Sequence, residues 1–312
     1  MLEHVADPLG IILRRDALAV GFNDNHLARA RRDGSIVRLR QGLYVLGSSW
    51  ASADPATRHR MLVAGVLRLY RNTVAASHQS ACVLQGGPMW GLELSHAHVT
   101  NLAGVGERRA ARVTHHRGEC RVGDLTRSEG LWVTSPLRTA LDTASLAGRD
   151  AGVCVLDWYL NRGLVTRHEL GVGLDRKVDW PGSLPLQLAV RLCDARSESV
   201  GESRTRLLCV DRRLPLPDLQ FEVFHPSGRL AGRTDFAWPA YGLLGEFDGV
   251  GKYTRTRRLG ETVVDAVLRE KAREDLLREL TGWRMIRFVW ADLDTPAATA
   301  ARIGRAMHRA AA

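Results

Sequence analysis

The apolar positions of the first fifty residues come in short runs with clear breaks. Ile11, Ile12, Leu18 and Val20 mark a first apolar stripe that predicts a helix, and Gly21 stops it. Asn23 or Asp24 can cap a second helix, Asn25 to Arg32. Asp33-Gly34 reads as a turn. Ile36 to Arg40 and Leu43 to Leu46 then predict two short strands around Gln41-Gly42. The order expected over Leu9 to Leu46 is helix, turn, helix, hairpin.

Beyond a polar linker, Ser48 to Asp54, the period changes to that of a long amphipathic helix, Thr57 to Tyr70. Ser77 opens a short helix that runs to Leu84 and ends at Gly86-Gly87-Pro88. Alternation at His96 to Asn101, Ala111 to His116 and Leu131 to Thr134 predicts strands of a small α+β domain. Pro136 suits a helix N-terminus, with Leu137, Leu141 and Leu146 on its apolar face. Further helices are expected to about Glu198, the most apolar run being Cys154 to Leu160. From Gly201 the pattern changes again. A helix, Glu202 to Arg213, precedes three strands, Leu219 to Phe224, Leu230 to Trp238 and Leu243 to Asp248. A long charged helix, Val263 to Leu280, then leads through Gly282 to a strand, Trp283 to Trp290, and a closing helix, Thr295 to Ala310.

At 312 residues the chain is too long for one ordinary core. Hydrophobic residues make up 45% and charged residues 25%, the balance of a globular protein. No run of about 18 apolar residues occurs, so no membrane span is expected, and the N-terminus lacks the order of a secretory signal. The five cysteines are scattered without a CxxC pair, which fits buried thiols in a reducing cytoplasm. Lys plus Arg outnumber acids by 44 to 34, a formal net charge of +10 that suits a polyanionic partner.

Three carboxylates in the last third carry the candidate chemistry. Asp235 lies on the second of the three strands, and Glu246 and Asp248 share one face of the third, because side chains alternate. Pro239 between the two strands suggests that they splay as they cross. Converging acids repel unless a hard cation sits among them, so Asp235, Glu246 and Asp248 are candidate ligands of Mg²⁺ or Mn²⁺. Such an ion activates water and offsets charge on a scissile phosphate. Lys252 or Lys271 could position that water.

Gly201 to Arg206, Arg233 to Pro239, Gly245 to Gly249, Lys252-Tyr253, Glu270 to Asp275 and Gly282 to Arg284 together resemble a bacterial group of PD-(D/E)XK domains related to very-short-patch repair endonucleases. The resemblance covers about Gly201 to Asp292. It implies a mixed sheet flanked by helices and metal-dependent phosphodiester cleavage. Asp235 and Glu246 would be metal ligands and Glu202 an accessory acid. The pattern departs at one place: the lysine expected two residues after the second acid is Asp248, and Lys252 is the substitute on hand.

The N-terminal segment offers Arg29, Arg31 and Arg32 on the second helix, and Arg38 and Arg40 on the hairpin. A recognition helix with a flanking wing would use such side chains on phosphates and guanines. Val37 to Tyr44 resembles the winged-helix end of AbiEi-type antitoxins. Ser77 to Ala81 and Val133 to Asp142 resemble the domain that follows it there. That resemblance, over about Leu9 to Leu146, implies a DNA-binding regulator that offsets a toxin. His78, His96, His98, His115 and His116 read as structural, and adjacent His115 and His116 on a strand point to opposite faces.

The expectation is therefore an α/β, multi-domain chain. It comprises a winged helix (1–50), a small α+β and helical middle domain (55–198) and a restriction-endonuclease-like mixed sheet flanked by helices (199–312). The expected function is DNA binding coupled to metal-dependent endonuclease activity in defence or repair. The alternative is an AbiEi-like regulator with an inert nuclease-like domain. Expected partners are DNA, and a toxin or a second copy of the chain, in the cytoplasm.

Overall fold

The computed structural model describes residues 2–71, 73–102, 108–117, 120–177, 183–249 and 262–308. The chain is α/β and divides into two compact units, Met1–Arg191 and Leu192–Ala312. None of the described helices is long and apolar enough to cross a membrane.

The first unit begins with β1 (Ile11–Leu13), α1 (Arg14–Ala19), α2 (Asp24–Arg32), β2 (Ile36–Arg40) and β3 (Leu43–Leu46). The strands form a sheet in the order β1-β3-β2, antiparallel throughout. The hairpin and second helix fall where the pattern predicts them. Ile11-Ile12, expected to open a helix, lie instead in strand β1. All three residues of β1 are fully buried, and a helix would have turned one of them to solvent. The expected linker at Ser48 is also replaced, by a short helix α3 (Gly47–Ser52), because Trp50 and Ala53 pack onto the core.

Helix α4 (Pro55–Leu69) starts with Asp54 accepting from the Thr57 amide at 2.7 Å and Pro55 in the first turn. Its Met61, Leu62, Val66 and Leu67 join Ile11, Leu13, Leu43 and Val45 in one apolar cluster with Val99 and Val133. The winged helix and the sheet that follows it thus share a core. That sheet has six strands: β4 (Val74–Ala76), β5 (Ala97–Asn101), β6 (Arg108–Ala110), β7 (Val113–His116), β8 (Leu125–Ser128) and β9 (Leu131–Thr134), in the order β6-β7-β5-β4-β9-β8. Helices α5 (His78–Leu84), α6 (Pro136–Leu146), α7 (Arg149–Asn161), α8 (Arg167–Asp175) and α9 (Ser183–Leu192) complete the region.

The second unit runs α10 (Val200–Asp211), β10 (Asp218–Phe224), β11 (Leu230–Trp238), β12 (Leu243–Phe247), α11 (Val263–Thr281), β13 (Arg284–Phe288), α12 (Trp290–Asp294) and α13 (Pro296–His308). The sheet order is β10-β11-β12-β13. The first two pairings are antiparallel and the last is parallel, so the sheet is mixed. The parallel pair needs a crossover, which α11 lies within. β11 and β12 pair antiparallel over three positions, from Trp238 opposite Leu243 to Phe236 opposite Gly245. Pro239 sits in a 3-10 turn, and Gly242 (φ 53°) takes the left-handed conformation that closes it.

Alternation gives this sheet two apolar faces. Phe236, Trp238, Leu243, Phe247, Ile286 and Phe288 meet Leu208, Cys209, Ile303 and Met307 from α10 and α13. Ala237, Leu244 and Met285 meet Leu277 of α11 on the other side. Asp235, Glu246 and Arg287 occupy the same alternation phase as this second set.

Candidate functional site

The β11–β12 pairing ends at Phe236 opposite Gly245, and Asp235 and Glu246 are the next residues of the two strands beyond it. Asp235 Oδ2 accepts from the Phe247 amide at 2.7 Å. Glu246 is 1% exposed and pairs with Arg273 of α11. Arg273 also binds Glu270 at 2.6 Å and donates to the Arg233 carbonyl at 2.8 Å. Asp248 takes a separate partner: Arg287 Nη1 donates to its Oδ2 at 2.8 Å and Arg287 Nη2 to Glu274 at 2.6 Å. The Oδ1 atom of Asp248 is buried without a hydrogen-bond partner among the described residues.

Glu202 sits in the first turn of α10. Its carboxylate accepts from Ser199 Oγ at 2.7 Å, the Glu198 amide at 2.9 Å and Gln220 Nε2 at 2.7 Å. Burial pushes its pKa up, and the negative charge of Asp235 pushes it further, to about 7. Glu202 and Asp235 are therefore electrostatic neighbours, although they come from different elements.

Glu202 thus has Asp235 as an acidic neighbour, while Glu246 and Asp248 sit on separate arginines. Among the described residues, no three His, Cys, Asp or Glu side chains are grouped so as to hold a metal ion. Arg273 on Glu246 and Arg287 on Asp248 supply the neutralisation expected of a cation. Lys252 lies outside the described residues, and Lys271 is exposed on α11. Sequence reasoning missed Arg273 and Arg287. The available signal was Glu270, Arg273 and Glu274 at helical spacing, which places alternating charge on one face.

In the first unit, Asn23 caps α2. Its side chain accepts from the His26 amide at 3.0 Å, and His26 Nδ1 accepts from the Asn23 amide at 3.3 Å. Leu27 and Ala30 face the core, which leaves Arg29, Arg31 and Arg32 exposed. Arg38 is exposed on β2, while Arg40 is half-buried with its guanidinium 5.7 Å from the Tyr70 ring centre. None of these five arginines forms an ion pair among the described residues.

The histidines of the middle sheet are packed inward. His98 Nδ1 and His116 Nε2 lie 2.8 Å apart, and His78 stacks on His116 with ring centres 3.6 Å apart. Burial holds all three below the usual imidazole range, His78 at about 4 and the others at about 3. His115 turns the other way, to the Tyr70 hydroxyl at 2.9 Å.

Residues 1–47 match the family model of a transcriptional regulator, AbiEi antitoxin. Two uncharacterized proteins of Mycobacterium tuberculosis, from strains CDC 1551 / Oshkosh and ATCC 25618 / H37Rv, are each similar to this chain. Each is 28% identical to it over 283 residues, which span 89% of this chain and 95% of the relative. The matched regulator segment is the one that presents Arg29, Arg31, Arg32, Arg38 and Arg40.

Proposed function

We propose that this chain is a DNA-binding regulator that lays α2 into the major groove and uses the β2–β3 hairpin on the flanking backbone. The carrying observation is the row of exposed arginines on α2 and β2, without ion pairs among the described residues, within the segment that matches the antitoxin regulators. Guanidiniums held on a capped helix and a paired strand keep their charge free for phosphates and guanine edges. A toxin or a second copy of the chain is the protein partner this reading implies, and the cytoplasm is where it would meet DNA. Replacing Arg29, Arg32 and Arg38 together by alanine should weaken duplex binding on the order of tenfold or more. The slope of log K against log salt should shrink by roughly 0.9 for each phosphate that no longer meets an arginine. Fluorescence anisotropy across a salt series measures both. Wild-type affinity and slope in the triple variant would remove the winged helix as the DNA contact.

A second reading rests on a different observation, the rise of Glu202 beside Asp235. It makes the second unit a phosphodiesterase in which Glu202 and Asp235, with Glu246 as a further candidate, would hold Mg²⁺ or Mn²⁺. The ion would supply an activated water and offset charge on the phosphate. The chain's own part is to carry Asp235 and Glu246 on the neighbouring strands β11 and β12, with Arg273 holding Glu246 in place. Plasmid nicking with either ion, by wild type, Asp235→Ala and Glu246→Ala, decides it. Loss in both variants supports the nuclease. Equal background cleavage in all three leaves a regulator with an inert nuclease-like unit.

A further inference from the structure

We propose that Arg31, Arg38 and Arg40 of the winged helix and Arg112 of the β6–β7 turn form one phosphate-binding cleft, so that the middle sheet grips the same duplex backbone as the winged helix. The inference rests on the DNA-binding reading and extends it to an element outside the matched segment.

Three observations carry it. First, these four arginines and Gln41 line a single cavity of about 450 Å³ with no acidic residue in its wall among the described residues. Four guanidiniums facing one space repel, and an anion in that space relieves the repulsion. Second, Arg40 is fixed rather than floppy. It lies over Tyr70, whose hydroxyl is held by His115, and its Nε and Nη1 are buried without a hydrogen-bond partner among the described residues. Packing of those two nitrogens holds the guanidinium in place at the cleft, and a guanidinium suits a phosphate oxygen.

Third, the backbone around Arg112 is strained in a way that serves this placement. The two-residue turn between β6 and β7 has Ala111 at φ 47° and Arg112 at φ 63°. A turn with both central residues in the left-handed region favours Asn-Gly or Gly-Gly, not Ala-Arg. Arg112 is kept where glycine would be easier, and its Nε reaches the Ser95 carbonyl at 3.2 Å, which steadies it at the cleft. A duplex backbone fits this wall better than a small anion does, because the cations run from a helix through a strand to a neighbouring hairpin and can meet successive phosphates.

The turn supplies a clean test. Arg112→Gly relieves the left-handed strain, so the fold is expected to hold, with an unfolding midpoint at or above that of wild type. Anisotropy with a mixed-sequence DNA duplex of about 30 base pairs should show a weaker complex and a salt slope smaller by roughly 0.9. Arg112→Lys should restore most of the slope. Arg29→Ala/Arg32→Ala, on α2 outside the cleft, is measured in parallel. If that pair weakens binding while Arg112→Gly matches wild type in affinity and slope, the cleft is overturned and the winged-helix reading stands. If neither changes binding, the DNA reading itself falls and the cleft with it. A complex that Arg112→Gly weakens, but that forms more tightly with single-stranded RNA than with the duplex, would also overturn the proposal.

Discussion

Asp142→Ala is expected to lower the stability of the Met1–Arg191 unit by about 3–5 kcal/mol, the range for removing one partner of a buried ion pair. Asp142 is 1% exposed and Lys177 6%, so neither charge can turn to water. Lys177 Nζ binds one carboxylate oxygen, and Arg138 Nε binds the other at 2.7 Å. Arg138 has a second carboxylate, Asp124 at 3.3 Å, and loses less when Asp142 is gone. The damage includes Lys177, which loses a carboxylate while buried. Burial opposes the charged form of Asp142, but the positive charges facing it, from His78 when protonated, Lys177 and Arg138, outweigh that and hold its pKa below the usual value. A lowered carboxyl pKa contributes stability that is present above the ordinary Asp value of about 3.9 and is lost as pH falls through the folded-state value. The gap between wild type and Asp142→Ala in urea midpoint should therefore close in acid and stay open at neutral pH. Asp142→Leu combined with Lys177→Met should recover much of the loss, because the whole pair is then replaced by apolar volume. A single-variant loss below about 1 kcal/mol at neutral pH would mean that the pair is solvated.

The contrast between what was legible and what was not follows from range. The β2–β3 hairpin could be read because its two strands flank a short turn and pair locally. The strands of the second unit could be read because five to nine residues of alternation fix a face. β4 has three residues, too few to show a period, and is a strand because β5 and β9 pair with it from distant parts of the chain. β1 misleads for a related reason: Ile11 and Ile12 are fully buried, so no polar position marks the alternation. At the acids, Asp235 and Glu246 were legible from strand phase alone. Their arginine partners were not. Arg287 meets Asp248 through the parallel β12–β13 pairing, and Arg273 meets Glu246 through the docking of α11. Both depend on a crossover whose path no local pattern states. Arg112 was hidden in another way, since its turn lacks the glycine or asparagine that marks such a position.

Gly201→Ala is expected to destabilise the second unit by roughly 1–3 kcal/mol through overpacking, and Gly201→Val by more. Helix propensity alone points the opposite way, because alanine is favoured over glycine by about 1 kcal/mol inside a helix. The difference is contact. A Cβ built at Gly201 would lie 2.1 Å from Phe247 Cε1 and 2.3 Å from its Cδ1. The ring cannot easily retreat, because Phe247 is 4% exposed and packs edge-on against Trp290 at 5.3 Å. Either the ring leaves its rotamer or α10 lifts from the sheet. Lifting α10 exposes Glu202 and carries it away from Asp235, and burial and that negative charge are what raise its pKa. The variant should therefore show a Glu202 pKa moved back toward the ordinary carboxylate range, measurable by side-chain NMR titration. Phe247→Leu makes room, so in a double-mutant cycle the pair should lose less than the sum of the singles, by roughly 0.5–3 kcal/mol. If Gly201→Ala is instead as stable as wild type or more so, the first turn of α10 does not rest on that ring. The placement of Glu202 beside Asp235 would then rest on its hydrogen bonds to Ser199, the Glu198 amide and Gln220.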